Sequence, residues 1–221
     1  MRMFVDVWWI PLTMSAIKGP ELDSALSLDE RQRAARFRFP EHATRFRLRH
    51  VALRSILARY VEQPPWEIEL VTDARGKPRL AGDAPVRFNL SHTGDVALLA
   101  VAPMELGIDV ETVRVDLPVE DIARFFTQRE RETLREASPG DARARAFFRL
   151  WTRKEAVLKA DGSGLSSSLD SLNISQCPPG LVRFPPDREN WWRVEDLNAD
   201  SGYVAALAAP PGEWVIRYYC L

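Results

Sequence analysis

Val96-Ala97-Leu98-Leu99-Ala100-Val101-Ala102-Pro103 is an unbroken apolar run, and Gly107-Ile108-Asp109-Val110-Glu111 follows it with strict alternation. The two runs, split by a proline and a short gap, predict a β-hairpin over 96–111. The same order returns near the C-terminus as Val204-Ala205-Ala206-Leu207-Ala208-Ala209-Pro210-Pro211, then Gly212-Glu213-Trp214-Val215-Ile216-Arg217-Tyr218. That predicts a second hairpin over 204–218. Helical segments echo at the same distance. Asp29-Glu30-Arg31-Gln32-Arg33 leads through a Pro40-Glu41 break to Phe46-Arg47-Leu48 and Ala52-Leu53, and Arg129-Glu130-Arg131-Glu132 leads through Pro139-Gly140-Asp141 to Phe148-Arg149-Leu150 and Lys154-Glu155. Element order repeated at about half the chain length implies duplication. The expectation is an α+β fold of two similar halves, residues 1–105 and 106–221, forming a pseudo-dimer with its site in the seam. In this register Glu155 falls opposite Leu53 of the first half, which predicts that it faces inward; a buried carboxylate is costly unless paired or metal-bound.

The two segments that carry chemistry are Gly107–Glu111 and Trp151-Thr152-Arg153-Lys154-Glu155-Ala156-Val157-Leu158-Lys159. On a strand, Asp109 and Glu111 share one face and Ile108 and Val110 the other. On a helix, Glu155 and Lys159 stand one turn apart, and Trp151 reads as a core anchor. Three carboxylates from a strand and a helix make a hard-oxygen set suited to Mg²⁺, which usually keeps waters and substrate phosphates beside one or two protein carboxylates. Each segment alone reads as a solvated face or an ion-pair ladder; together they outweigh that reading.

The chain has 221 residues, with 46% hydrophobic and 28% charged residues and a net charge of −1, ordinary for a globular protein. That balance exerts no overall pull toward nucleic acid or a membrane. Charge is unevenly placed, however: residues 31–54 hold eight arginines and one acid, Glu41. The cysteines, Cys177 and Cys220, form no disulfide framework or zinc motif, as expected in a reducing cytosol. The N-terminus is broken by Asp6 and Pro11 and reads as a first strand rather than a signal peptide. No run approaches the ~18 apolar residues of a membrane span.

These segments resemble the phosphopantetheinyl transferases of the surfactin-synthetase type, in the holo-acyl-carrier-protein synthase superfamily. That family's hallmarks are G-[IV]-D-[IV]-E and, some 40 residues on, W-x-x-K-E-[AS]-x-x-K. Further matches are Arg75-Gly76-Lys77-Pro78, Phe88-Asn89-Leu90-Ser91-His92-Thr93-Gly94, the Arg-rich N-terminal helix and Gly162-Ser163-Gly164-Leu165. The resemblance spans about residues 27 to 170. It implies a pseudo-dimer with coenzyme A in the seam and a cytoplasmic enzyme. That enzyme would transfer 4′-phosphopantetheine from coenzyme A to a serine of an apo acyl or peptidyl carrier protein, releasing 3′,5′-ADP. It further implies Mg²⁺, with Mn²⁺ a substitute, held by Asp109, Glu111 and Glu155. Coenzyme A would be bound by Arg33 at the 3′-phosphate, by Lys77 in its glycine turn, and by Ser91, His92, Asp109, Glu155 and Lys159. Glu155, or a metal-bound water that it holds, would be the base, and Lys159 would neutralise phosphate charge. The segment from Pro118 to Pro139, with Phe125, Phe126 and Leu134, is the expected carrier-docking element. An internal pseudo-dimer points to a monomer, with no nucleic-acid or membrane partner.

A Ser91-His92 hydrolase is a poor reading, since neighbours on a strand diverge and no G-x-S-x-G elbow is present. Two alternatives compete. The arginines of 31–54, interleaved with Phe37, Phe39 and Phe46, could bind a nucleic-acid backbone, but that leaves the carboxylates without a role. An inactive coenzyme A-binding homologue would not need the intact D-x-E and K-E-x-x-x-K sets.

Overall fold

The computed structural model describes residues 2–13, 24–164, 169–174, 180–185 and 189–221; Cys177 and Leu165 lie outside them. Its strands are β1 (Met3–Pro11), β2 (Leu70–Thr72), β3 (Pro78–Leu80), β4 (Arg87–Thr93), β5 (Val96–Ala102), β6 (Gly107–Thr112), β7 (Gly180–Arg183), β8 (Trp191–Asp196), β9 (Tyr203–Ala209) and β10 (Trp214–Cys220). Its α-helices are α1 (Leu28–Ala35), α2 (Pro40–Val61), α3 (Val119–Ala123), α4 (Gln128–Glu136) and α5 (Asp141–Asp161). Among the described residues no helix is long and apolar enough to cross a membrane.

Two four-stranded sheets, ordered β10-β1-β5-β4 and β6-β9-β8-β7, pack face to face. Helix α2 covers the outer face of the first sheet and α5 the outer face of the second. The central strands explain the apolar runs. In β5, Ala97, Leu99 and Val101 face α2, while Leu98, Ala100 and Ala102 face the other sheet. In β9, Ala206 and Ala208 face α5, while Ala205, Leu207 and Ala209 face the first sheet. A strand buried on both faces has no polar alternation to show.

This layering corrects both expected hairpins. β5 pairs with β1 and β4, whereas β6 pairs with β9; β9 pairs with β6 and β8, whereas β10 runs parallel to β1. At Pro103 and again at Pro210-Pro211 the chain leaves one sheet and enters the other. Proline lacks the N–H that would extend a ladder, so each strand ends there, and the pairing of the next strand makes each break a crossing rather than a turn.

Element order does recur. Ser27 and Thr127 each cap a helix in a capping box with Glu30 and Glu130. Glu30 is paired to Arg54 of α2 at 2.7 Å, and Glu130 to Lys154 of α5 at 2.8 Å. Each cation also donates to two carbonyls in the segment after its helix: Arg54 to Pro65 and Ile68, Lys154 to Leu169 and Leu172. Arg54 and Lys154 therefore occupy equivalent places, which corrects the sequence register. The counterpart of Glu155 is Ser55, not Leu53, so the orientation of Glu155 must rest on its own surroundings.

Candidate active site

The site forms where β6, the outer strand of its sheet, lies between α5 and β4. Ile108 and Val110 enter the core between the sheets, which turns Gly107, Asp109 and Glu111 toward α5. A Cβ on Gly107 would collide with the backbone of Ala156, Lys159 and Ala160. Only glycine lets strand and helix approach this closely, and the approach brings Asp109 under Lys159. The Lys159 ammonium lies 2.6 Å from Asp109 Oδ1, 3.0 Å from Ser91 Oγ and 3.3 Å from the Ile108 carbonyl. The Ser91 hydroxyl donates to Asp109 Oδ1 at 2.7 Å, and the Thr93 hydroxyl to Glu111 Oε2 at 3.2 Å. Trp151, partly buried, stacks beside Phe126 and Phe147 at the margin of the core that α5 covers.

Electrostatically the cluster is short of positive charge. Burial pushes the Asp109 carboxyl up against the pull of Lys159 and Ser91. Burial, then Asp109, pushes Glu111 up. Burial, then Asp109, raises Glu155 to about 7, with Glu111 adding to the rise and Lys159 opposing it. Asp109 Oδ2 and Glu155 Oε1 are buried with no hydrogen-bond partner. Buried polar atoms are normally satisfied, so these two oxygens suit a cation. Among the described residues no three His, Cys, Asp or Glu side chains converge as a ready-made cage.

Beside the carboxylates lies a groove of about 230 Å³ lined by Phe37, His42, Arg45, Phe46, Arg49, His92, Thr93 and Gly94. The Arg33 and Arg49 guanidiniums each stand over the Phe46 ring, at 5.4 and 5.6 Å. Burial and the nearby Arg33 push Arg49 down to about 10. Desolvation on its protein side, then the charges of Arg49, Lys159 and His50, pushes His92 down to about 4, so its ring is neutral at pH 7. Like charges gathered without acidic partners make an anion site. Arg45 is the exception, paired with Asp95 at 2.7 Å.

Of the expected residues, Asp109, Lys159 and Ser91 touch one another, Glu111 and Glu155 lie close enough to Asp109 to feel its charge, His92 lines the groove, and Arg33 stands over the groove residue Phe46. Two roles need correction. Lys77 is buried, and its ammonium already contacts Glu105 at 3.0 Å and the carbonyls of Leu106 at 3.0 Å and Ala160 at 3.2 Å. With Arg75, which donates to the Asp161 carbonyl, it caps the C-terminus of α5 from outside, leaving no proton of Lys77 for a phosphate. Ser91 likewise spends its hydroxyl on Asp109 and Lys159 rather than facing the groove. In the expected docking element Phe126 and Leu134 are core, while Phe125 is half exposed with the Arg124 guanidinium 4.6 Å over its ring. The sequence marks Arg49 only by its spacing of one helical turn from Arg45; the structure sets it beside His92.

The family model described as the 4′-phosphopantetheinyl transferase superfamily matches residues 105–208, and one described as 4′-phosphopantetheinyl transferase, N-terminal, matches residues 19–104. The chain is 37% identical to 4′-phosphopantetheinyl transferase HetI of Nostoc, over 97% of this chain and 91% of the relative. It is 31% identical to 4′-phosphopantetheinyl transferase Sfp of Bacillus subtilis, over 84% and 83%. It is 28% identical to the human L-aminoadipate-semialdehyde dehydrogenase-phosphopantetheinyl transferase, over 81% and 65%.

Proposed function

The chain belongs to the 4′-phosphopantetheinyl transferase superfamily and is an enzyme of that type; from that premise we propose that it moves 4′-phosphopantetheine from coenzyme A to a serine of an acyl or peptidyl carrier protein. One observation carries this reading: buried carboxylate oxygens without partners lie beside a groove lined by Arg49 and His92, with Arg33 over its Phe46 wall. A pyrophosphate bridging cationic groove and carboxylate cluster would bring a cation with it.

In this reading Arg49 and Arg33 hold the phosphates of the nucleotide end, with the forked guanidinium matching phosphate geometry. Neutral His92 donates to a phosphate oxygen without adding charge. Asp109, Glu111 and Glu155 are the residues that would hold Mg²⁺, which when bound neutralises pyrophosphate oxygens. The carrier serine oxygen attacks the phosphorus that bears pantetheine. A new P–O bond forms, the pyrophosphate P–O bond breaks, and its electron pair leaves on 3′,5′-ADP. Glu155 accepts the serine proton, and Lys159 stays close to the developing charge. We further read the chain as a duplicated pseudo-dimer that acts as a monomer, its two halves supplying both sides of one site.

Incubation with coenzyme A, Mg²⁺ and a panel of apo-carriers should add the mass of one phosphopantetheine group to at least one carrier, and chelation should stop it. No mass gain across fatty-acid, polyketide and peptide carriers would overturn the proposal.

A further inference from the structure

On β4, Asn89, Ser91 and Thr93 alternate with Phe88, Leu90 and His92 and so share one face. That face looks at β6, which has a strand partner on one side only, β9. The amides that point away from β9 would be left unpaired inside the molecule, a cost that folded proteins avoid. Side chains of β4 receive them instead. Ile108 N–H donates to Asn89 Oδ1 at 2.9 Å, Val110 N–H to Ser91 Oγ at 3.4 Å, and Thr112 N–H to Thr93 Oγ1 at 3.2 Å. All three rungs keep the same separation of 19 residues. Two rungs go on to the carboxylates, Ser91 to Asp109 and Thr93 to Glu111. A hydroxyl offers one proton and two lone pairs. Ser91 gives its proton to Asp109 and accepts from Lys159 and Val110, so it has nothing left for a ligand.

We propose that Asn89, Ser91 and Thr93 are positioning residues: a side-chain ladder that stands in for a missing strand, fixes the register of β6 against β4, and so aims Asp109 and Glu111 at α5. A slip of one residue would turn both carboxylates to the opposite face. The consequence for transfer rests on the function proposed above; the ladder itself does not.

The test compares Thr93→Val, similar in shape but without the oxygen, with Thr93→Ser, which keeps it. In the full-length protein the Thr112 amide should exchange with solvent roughly tenfold faster in Thr93→Val, while β6 amides on the β9 side stay protected. In transfer assays Thr93→Val should need more Mg²⁺ than wild type for its half-maximal rate. Thr93→Ser should restore both. Ser91→Ala repeats the exchange test at Val110 should Thr93→Val not fold. Unchanged exchange at the tested amide, or a change confined to the coenzyme A KM, overturns the ladder. Absence of transfer in wild type would instead count against the proposed function, and the exchange measurement would still decide the ladder.

Discussion

Arg49 and Lys77 are both cations near the seam, and their surroundings give them opposite tasks. Arg49 has no carboxylate partner among the described residues and is held down to about 10 by burial and by Arg33. Arg49→Met should therefore weaken coenzyme A binding by about 1.5–3 kcal/mol, the worth of a charged hydrogen bond, and leave unliganded stability unchanged or slightly higher. Lys77→Met should do the reverse. It strands the buried carbonyls of Leu106 and Ala160, while Glu105 keeps Arg79 and Arg87, costing about 1–3 kcal/mol of stability, with coenzyme A affinity near wild type. Calorimetric titration and urea unfolding of both variants check the pair; weaker coenzyme A binding by the Lys77 variant at wild-type stability would contradict it. Asp109, Glu111, Glu155 and Lys159 were legible in the sequence because strand alternation and helix spacing fix which side chains share a face. The tasks of Lys77 and Ser91 were not. A sequence shows that a donor exists, but these donors are consumed by Ala160, 83 positions away, and Asp109, 18 positions away.

At the scale of elements, α5 carries the chemistry and is held by Glu130 on Lys154, by Asp196 on Arg153 at 2.7 Å and by backbone contact at Gly107, besides Lys159 on Asp109 and the Lys77 and Arg75 cap. Gly107→Ala must push β6 and α5 apart. Overpacking of this kind costs about 1–3 kcal/mol, and a displaced β6 should lower the transfer rate more than stability alone explains. A shifted urea midpoint with wild-type turnover would show that the close approach is structural only. In the first half, Glu30 ties α1 to α2. Burial alone would raise its pKa, but hydrogen bonds from His50, the Ser27 amide and Arg54 hold it at about 2. The charged form is thus favoured by folding. Its contribution is complete above the ordinary value of 4.5 and is lost as pH falls toward 2, a loss of roughly 3 kcal/mol. The stability gap between wild type and Glu30→Gln should narrow across that window and stay level above it; a gap independent of pH would contradict this. The strands themselves were legible as apolar runs, but their partners were not. A run buried on both faces looks the same whether it continues into a hairpin or crosses to another sheet, and Pro103 permits either.

For the whole molecule, the last strand closes the fold. β10 follows β9 of the second sheet yet pairs with β1 of the first. Arg217 clasps Asp6 at 2.6 and 2.9 Å, and Tyr60 donates to the same carboxylate at 2.7 Å. A chain ended after Pro211 would bare β1 as an apolar edge, which invites association. It should lose its cooperative melt and scatter light, whereas a soluble monomer with wild-type melting would show β10 to be dispensable. Two sheets joined this way hold β6 between α5 and β4, and the proposed transfer depends on that placement. The measurement that tests it most directly is the initial rate of carrier modification against Mg²⁺ concentration, for wild type and Glu155→Gln side by side. Glutamine keeps the size and one oxygen of glutamate but cannot take the serine proton. The account predicts a variant at least ~10²-fold slower at every Mg²⁺ concentration, within the range for loss of a general base, with coenzyme A affinity near wild type. Two curves that overlay would mean that Glu155 neither holds the ion nor takes the proton, and the seam would not be the site of transfer.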